Sequence, residues 1–226
     1  MAESDKNRPS WDGELQRSRL SGFARLRAIF WRRSLRLYEW WALKKQPWAR
    51  KLHSELNREF QGINLDDPGR LTDSSRVFGE TPLLTVSSLL DFVEKLSPPE
   101  EFLDLGSGRG GVTLAAACRG FRATGVELEA DWVERAQRVA ERLHLSATFR
   151  QNDFLEVEWP DSAVVFVVAT AFDLNLREAI LKKVKGLSKG SLLIAGDWTA
   201  PEGLERLWEG RLPVDWGVIP FAVYRV

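Results

Sequence analysis

Asp104-Leu105-Gly106-Ser107-Gly108-Arg109-Gly110-Gly111 follows the apolar pair Phe102-Leu103 and precedes the helix-forming stretch Val112 to Cys118. That order reads as strand, glycine turn, helix, the opening unit of a nucleotide-binding α/β sheet. Glycines let the backbone turn sharply and lie against a ligand without Cβ clashes. The carboxylate of Asp104, two residues before the first glycine, changes the expected ligand. A pyrophosphate would be repelled there, whereas the ammonium and sulfonium of S-adenosylmethionine (AdoMet) would be attracted. AdoMet is therefore the expected cofactor, against NAD or a purely structural turn.

The next segments extend this reading. Phe121 to Val126 reads as a second strand with Glu127 at its tip, where a carboxylate accepts from ribose hydroxyls. Glu127 serves NAD as well as AdoMet, so it supports nucleoside binding only. Glu129 to Leu143 carries Trp132, Ala136, Val139 and Leu143 at helical spacing. A third strand, Ala147 to Arg150, runs into Asn152-Asp153-Phe154. There Asp153 suits the exocyclic amine of adenine and Phe154 a face of its ring; the plain alternative is a turn cap beside a core aromatic.

The alternation continues with strand Val164 to Val168, helix Leu176 to Leu187, strand Ser191 to Ala195, and two short strands from Arg211 to Val226 around Trp216-Gly217. Before the glycine loop, Gly62 to Ser75 reads as a linker, and an amphipathic helix follows through Val86, Leu90, Val93 and Leu96. The expected fold is a three-layer Rossmann-like α/β sandwich with a mostly parallel seven-stranded sheet, an antiparallel C-terminal edge and an N-terminal helical extension. The expected division is an extension with linker over 1–76 and a catalytic domain over 77–226.

Composition narrows the chemistry. The chain has 226 residues, one cysteine and two histidines. Cys118 excludes an intramolecular disulfide and a cysteine cluster, and lies where a small buried hydrophobe is expected. No metal is expected; Asp173 and Asp197 stand at strand ends but read as ordinary carboxylates. There is no Asn/Asp-Pro-Pro-aromatic tetrad, and no cysteine after strand four or five to attack a pyrimidine ring. No apolar run reaches membrane-spanning length, and the polar start, Met1 to Ser10, lacks the core of a secretory signal. A cytoplasmic protein is expected.

The zero net charge conceals an asymmetry. Arg17 to Arg58 carries twelve Lys or Arg against Glu39 and Glu55, so 20 of the 32 basic and 30 of the 32 acidic residues lie elsewhere. Arg25, Arg32 and Arg36 fall together on a helical wheel, and Phe23, Leu26, Phe30, Leu37 and Trp41 share another side. That aromatic side is expected to pack on the catalytic domain. Contact of the arm with an acidic partner, nucleic acid or a membrane surface stays open.

Val77-Phe78-Gly79-Glu80-Thr81, Phe102 to Gly108, Gly125-Val126-Glu127, Asn152-Asp153-Phe154-Leu155 and Val164 to Val167 with Ala171-Phe172 occur in that order. In order and spacing they resemble the class I AdoMet-dependent methyltransferases, and among them the non-SET histone-lysine methyltransferases of the disruptor-of-telomeric-silencing type. The related short prokaryotic lysine methyltransferase-like proteins are similar in size also. The resemblance implies that Glu80 and Thr81 line the methionine end of AdoMet, while Asp104, Gly106, Ser107 and Gly108 hold its amino-acid portion. It also implies Glu127 on the ribose, Asp153 and Phe154 on adenine, and Thr170 and Phe172 beside the acceptor. The implied activity is methyl transfer to a protein lysine amine. A small-molecule or RNA acceptor, and AdoMet binding without catalysis, are the alternatives. Where that family has an asparagine pair after the fourth strand, this chain has Val168-Ala169 and then Thr170.

Overall fold

The computed structural model describes residues 22–62, 79–198 and 201–226, with side chains described from residue 30 onward, Lys45 excepted. Seven strands form one sheet: β1 Glu101–Leu105, β2 Arg122–Glu127, β3 Ala147–Gln151, β4 Val164–Val168, β5 Leu192–Gly196, β6 Glu205–Val214 and β7 Gly217–Arg225. Their order is β3-β2-β1-β4-β5-β7-β6. The first five pair in parallel, and β7 joins β5 antiparallel with Ile194 opposite Val223. This is the expected Rossmann-like sheet with its antiparallel edge. The final hairpin is longer than its sequence suggested, because β6 begins at Glu205 rather than near Arg211.

Strand side chains alternate between two apolar layers, as the pleat requires. Phe102, Val164, Phe166, Leu192 and Ile194 point to one layer; Leu103, Leu105, Val165, Val167 and Leu193 point to the other. The first layer is covered by α2 Pro47–Glu59, α3 Leu83–Val93, α4 Gly111–Cys118 and α5 Ala130–Leu143. The second is covered by α6 Leu174–Lys185 together with Phe154, Trp159 and Trp198, since residues 152–163 cross from β3 to β4 without a helix.

The N-terminal segment folds as α1 Gly22–Ala42, a single turn at Leu43–Lys45, and α2. Leu43, Ala49, Leu52, Leu56 and Phe60 belong to the same buried cluster as α3, α4 and α5. Arg142 of α5 pairs with Glu55 and Glu59 of α2, at 3.0 and 2.7 Å. The segment around the 76/77 division lies outside the described residues, as do Val77 and Phe78 and most of the linker.

The docked face of α1 is not the aromatic face expected from the wheel. Leu35 and Glu39 are each 7% exposed, whereas Phe30, Leu37 and Trp41 are 74, 70 and 65% exposed. Phe23 and Leu26 lie outside the residues whose side chains are described. Two hydrogen bonds set the orientation. Trp31 Nε1 donates to the carbonyl of Val214 at 3.0 Å, and the Leu84 N–H donates to Glu39 Oε1 at 3.1 Å. Pro82 gives α3 no side-chain cap of its own, so Glu39 of α1 satisfies a first-turn donor and sits at the positive end of the helix dipole. A wheel scores apolar periodicity, and both sides of α1 are apolar enough; a buried carboxylate with one matching donor selects between them.

Candidate functional site

The chain runs outward from β1 through β2 to β3, then returns to β4 on the other side of β1. A crevice opens at such a reversal, beyond the carboxyl ends of the strands, and ligands bind there in open α/β sheets. The loop after β1 and the segment after β4 flank it.

On the β1 side, Gly106, Gly108 and Gly110 all have positive φ, which glycine alone adopts without steric cost. The N–H groups of Gly106 and Ser107 both donate to the Val126 carbonyl at 2.9 Å, fastening the loop to β2. A Cβ on Gly106 would meet nothing within 4 Å, so the loop presents bare backbone to open space. One on Gly110 would lie 2.7 Å from Phe149, so that glycine serves helix packing instead. Ser107 Oγ is buried without a hydrogen-bond partner in the structure. Buried hydroxyls are nearly always satisfied, so an orphan in this loop suits a site whose ligand completes it.

Glu127 bridges strand and loop. Its Oε2 accepts from the Gly108 N–H at 2.8 Å, and its Oε1 accepts from the N–H groups of Leu128 at 2.7 Å and Glu129 at 3.1 Å. A carboxylate offers about four acceptor positions, so Oε2 keeps one for a hydroxyl. Asp104 is 2% exposed, and its Oδ2 accepts from Thr113 Oγ1 at 2.7 Å. Burial pushes its pKa from 3.8 to about 7, with nearby Glu127 adding to the rise. Asp104 therefore ties β1 to the first turn of α4.

Glu80 meets the loop directly. Arg109, at the loop's centre, donates to Glu80 Oε1 at 2.5 Å and lies over the Phe60 ring at 5.3 Å. The Asp215 N–H, in the turn between β6 and β7, donates to the Glu80 carbonyl at 3.1 Å. Burial and then Glu80 raise the pKa of Asp215, while Arg32, Arg36 and Arg109 oppose the rise. Burial likewise raises Glu39, against the N–H groups of Leu84 and Leu83, with Glu80 and Asp215 adding to the rise. Thr81 is half-buried just before α3.

On the β4 side, Arg177 of α6 fixes the segment that carries Thr170 and Phe172. Its guanidinium donates to the carbonyls of Ala169 at 2.7 Å and Phe172 at 3.0 Å. Thr170 is exposed, and the Phe172 ring lies 5.8 Å from Phe154. Asp153 is exposed and closes a local turn by accepting from the Leu155 N–H at 2.8 Å. Asp173 caps α6 through the Leu176 N–H at 2.8 Å, and no cluster of three metal-ligating residues occurs among the described residues.

The structure thus brings Glu80, the glycine loop and Glu127 together, and Phe154 with Phe172. Sequence reasoning missed Arg109, Asp215, Arg177 and Glu39. Arg109 was legible as the one charged residue inside the glycine run; Asp215 had no local signal, because the hairpin alone carries it to Glu80.

Comparison with known proteins supplies the class. Residues 102–189 match the family described as a methyltransferase domain. That stretch is similar to methyltransferase domains. It contains β1 to α6, hence the glycine loop, Glu127, Asp153 and Phe172. AdoMet is the cofactor of this class, and the bare glycine loop, the orphaned Ser107 hydroxyl and Glu127 fit it. A 23S rRNA (uracil(747)-C(5))-methyltransferase of Pyrococcus horikoshii is 42% identical over 82 residues. The match covers 36% of this chain and 20% of that protein, so the chain spans about a fifth of the relative's length. Magnesium protoporphyrin IX methyltransferase of Synechocystis, solved with bound AdoMet, shares the fold at 14% identity and a TM-score of 0.55, over 76% of this chain and 90% of that one. A putative RNA methyltransferase of Pyrococcus horikoshii does so at 14% identity and a TM-score of 0.55, over 77 and 96%.

Proposed function

We propose that the chain is an active AdoMet-dependent methyltransferase that methylates an amine, with a protein lysine side chain as the first candidate. The observation that carries this reading is the main-chain bond from the Asp215 N–H to the Glu80 carbonyl, which sets these two acidic residues side by side next to the glycine loop, where Glu80 pairs with Arg109. Acidic groups at the mouth of the crevice draw in a cationic amine and stand close to the place where its proton must leave. When bound, AdoMet supplies an electrophilic methyl group on a sulfonium.

In this reading Gly106, Ser107 and Gly108 receive the amino-acid portion, helped by the field of Asp104. Glu80 and Thr81 line the methionine end, Glu127 receives the ribose, and Asp153 with Phe154 receives adenine. Thr170 and Phe172 border the acceptor on the β4 side. An amine attacks only when neutral, and a water-poor wall formed by Phe172 and Val168 favours that form. Asp215, whose pKa burial raises, is the group we assign to receive the proton. The rest is alignment and desolvation, since methyl transfer from a sulfonium disperses charge.

A second reading, an RNA acceptor, draws on the two relatives named for RNA. Within it the carbon C5 of uracil is not the target for this chain. Activating that carbon calls for a nucleophile, and Cys118, the chain's one thiol, sits in α4 with its pKa pushed up to about 11 by burial.

The test is to incubate the purified full chain with tritiated AdoMet and a cell extract, then separate protein, RNA and small molecules. The expected result is protease-sensitive label that yields methylated lysine on acid hydrolysis. Label in a small amine keeps the chemistry and changes the acceptor. Nuclease-sensitive label transfers the assignment to RNA, and AdoMet binding without label of any kind would make the protein a non-catalytic binder.

A further inference from the structure

Helix α1 has two apolar faces, and among the described residues only one is docked. At 3.6 residues per turn, Phe30, Leu37 and Trp41 fall within about 40° of one another, and about 120–160° around the helix from the docked Leu35. All three are among the large hydrophobic side chains left in water, with Trp40 beside them at 56% exposed. Arg33, Arg36 and Lys44 are exposed around this strip, and Lys44 Nζ lies 4.9 Å from the Trp40 ring centroid. The opposite face is already committed, through Leu35, Glu39 and the Trp31 bond to Val214. Rotation of the helix to hide the strip would break those bonds and bring Leu35 out into water.

We infer that this outer face of α1 docks the protein on an anionic lipid surface. An aliphatic and aromatic ridge flanked by Arg and Lys is the arrangement that lies in the plane of a bilayer interface, apolar side chains among the acyl chains and cations at the headgroups. Charge supports lipid over the competing occupants. Residues outside Arg17 to Arg58 carry 20 basic against 30 acidic residues, so the arm is the part of the chain that an anionic surface attracts. A second copy of the chain would set Arg33, Arg36 and Lys44 against their own like charges. An RNA strand would find cations there, but Leu37 and Phe30 on a convex ridge give neither a groove nor a hydrogen bond to its bases. No described helix is long and apolar enough to cross a membrane, so the mode is attachment at the surface.

The test is co-sedimentation of the full chain with phosphatidylcholine vesicles, with and without phosphatidylglycerol. Binding is expected to the phosphatidylglycerol vesicles and to weaken as salt rises. The double substitution Leu37→Ser with Trp41→Ser should weaken it at least about tenfold, given the apolar area removed. Because both side chains face solvent, the thermal midpoint of the variant should match that of the parent. Failure of the parent to sediment with either vesicle, or equal sedimentation of the variant, would overturn the inference. A dimer in light scattering that the double substitution dissociates would assign the face to self-association. An RNA mobility shift abolished by the same substitution would assign it to nucleic acid.

Discussion

Replacing Glu127 by alanine is expected to weaken AdoMet binding by about ten- to hundredfold, the range for losing one or more charge-assisted hydrogen bonds to a ligand. The carboxylate does two things at once. It offers Oε2 to the crevice, and it holds the Gly108 N–H at 2.8 Å while steadying the turn through Leu128 and Glu129. Alanine removes the hydroxyl acceptor and also releases the loop. Glutamine separates these effects, since its amide keeps one acceptor oxygen but sets an NH2 group against N–H donors. The expected order of affinity is Glu above Gln above Ala, read by calorimetric titration. Thermal midpoints measured alongside show how much of each loss comes from the loop. Equal affinity in all three would remove Glu127 from the site.

The second large effect is a pH dependence of stability centred on Asp104. Its folded-state pKa is about 7, against an ordinary value of 3.8. Between those values the folded protein retains a proton that the unfolded chain has already shed. For this group, stability is therefore greatest at and below about pH 4, falls as pH rises toward 7, and is flat beyond. About three pKa units at roughly 1.4 kcal/mol each give a penalty on the order of 4 kcal/mol at neutral pH. Burial shifts Glu39 and Asp215 in the same sense, whereas Glu59 goes the other way: against desolvation, Arg138 and Arg142 hold it below its ordinary value. The measurable quantity is thus the difference between parent and Asp104→Asn. Asparagine keeps the shape and can still bond to Thr113, yet it has no charge to bury. Urea denaturation from pH 4 to 8 should show the variant gaining on the parent by several kcal/mol across that window. A pH-independent difference would mean that Asp104 is not desolvated as the structure places it.

Much of the core architecture was readable because its signals are local. Phe102-Leu103 followed by the glycine run can only be strand and turn, and the apolar runs at Val164 and Leu192 are too short for anything but buried strands. The tip of β2 announces Glu127 in the same way. What escaped the sequence depends on contacts between distant segments. Glu80 was legible through the family resemblance, but not its pairing with Arg109, 29 positions away. Asp215 belongs to the site because β7 runs antiparallel to β5 and swings the hairpin tip over the carboxyl ends of the parallel strands. The orientation of α1 hangs on two bonds, Glu39 with the Leu84 N–H 45 positions away and Trp31 with the Val214 carbonyl 183 away. Periodicity cannot see either bond. Phe154 and Phe172 were legible one at a time, but their contact was not, since it forms only where the chain returns from β3 to β4 without a helix.

The central claim is that the crevice beside Gly106 to Gly110 is an AdoMet site. Calorimetric titration of the intact chain with AdoMet, and in parallel with NAD, addresses it most directly. The account predicts saturable one-to-one binding of AdoMet, no detectable heat with NAD, and a rise in thermal midpoint when AdoMet is present, because a ligand that binds only the folded state stabilises it. NAD binding in place of AdoMet, or no binding of AdoMet at all, would contradict it.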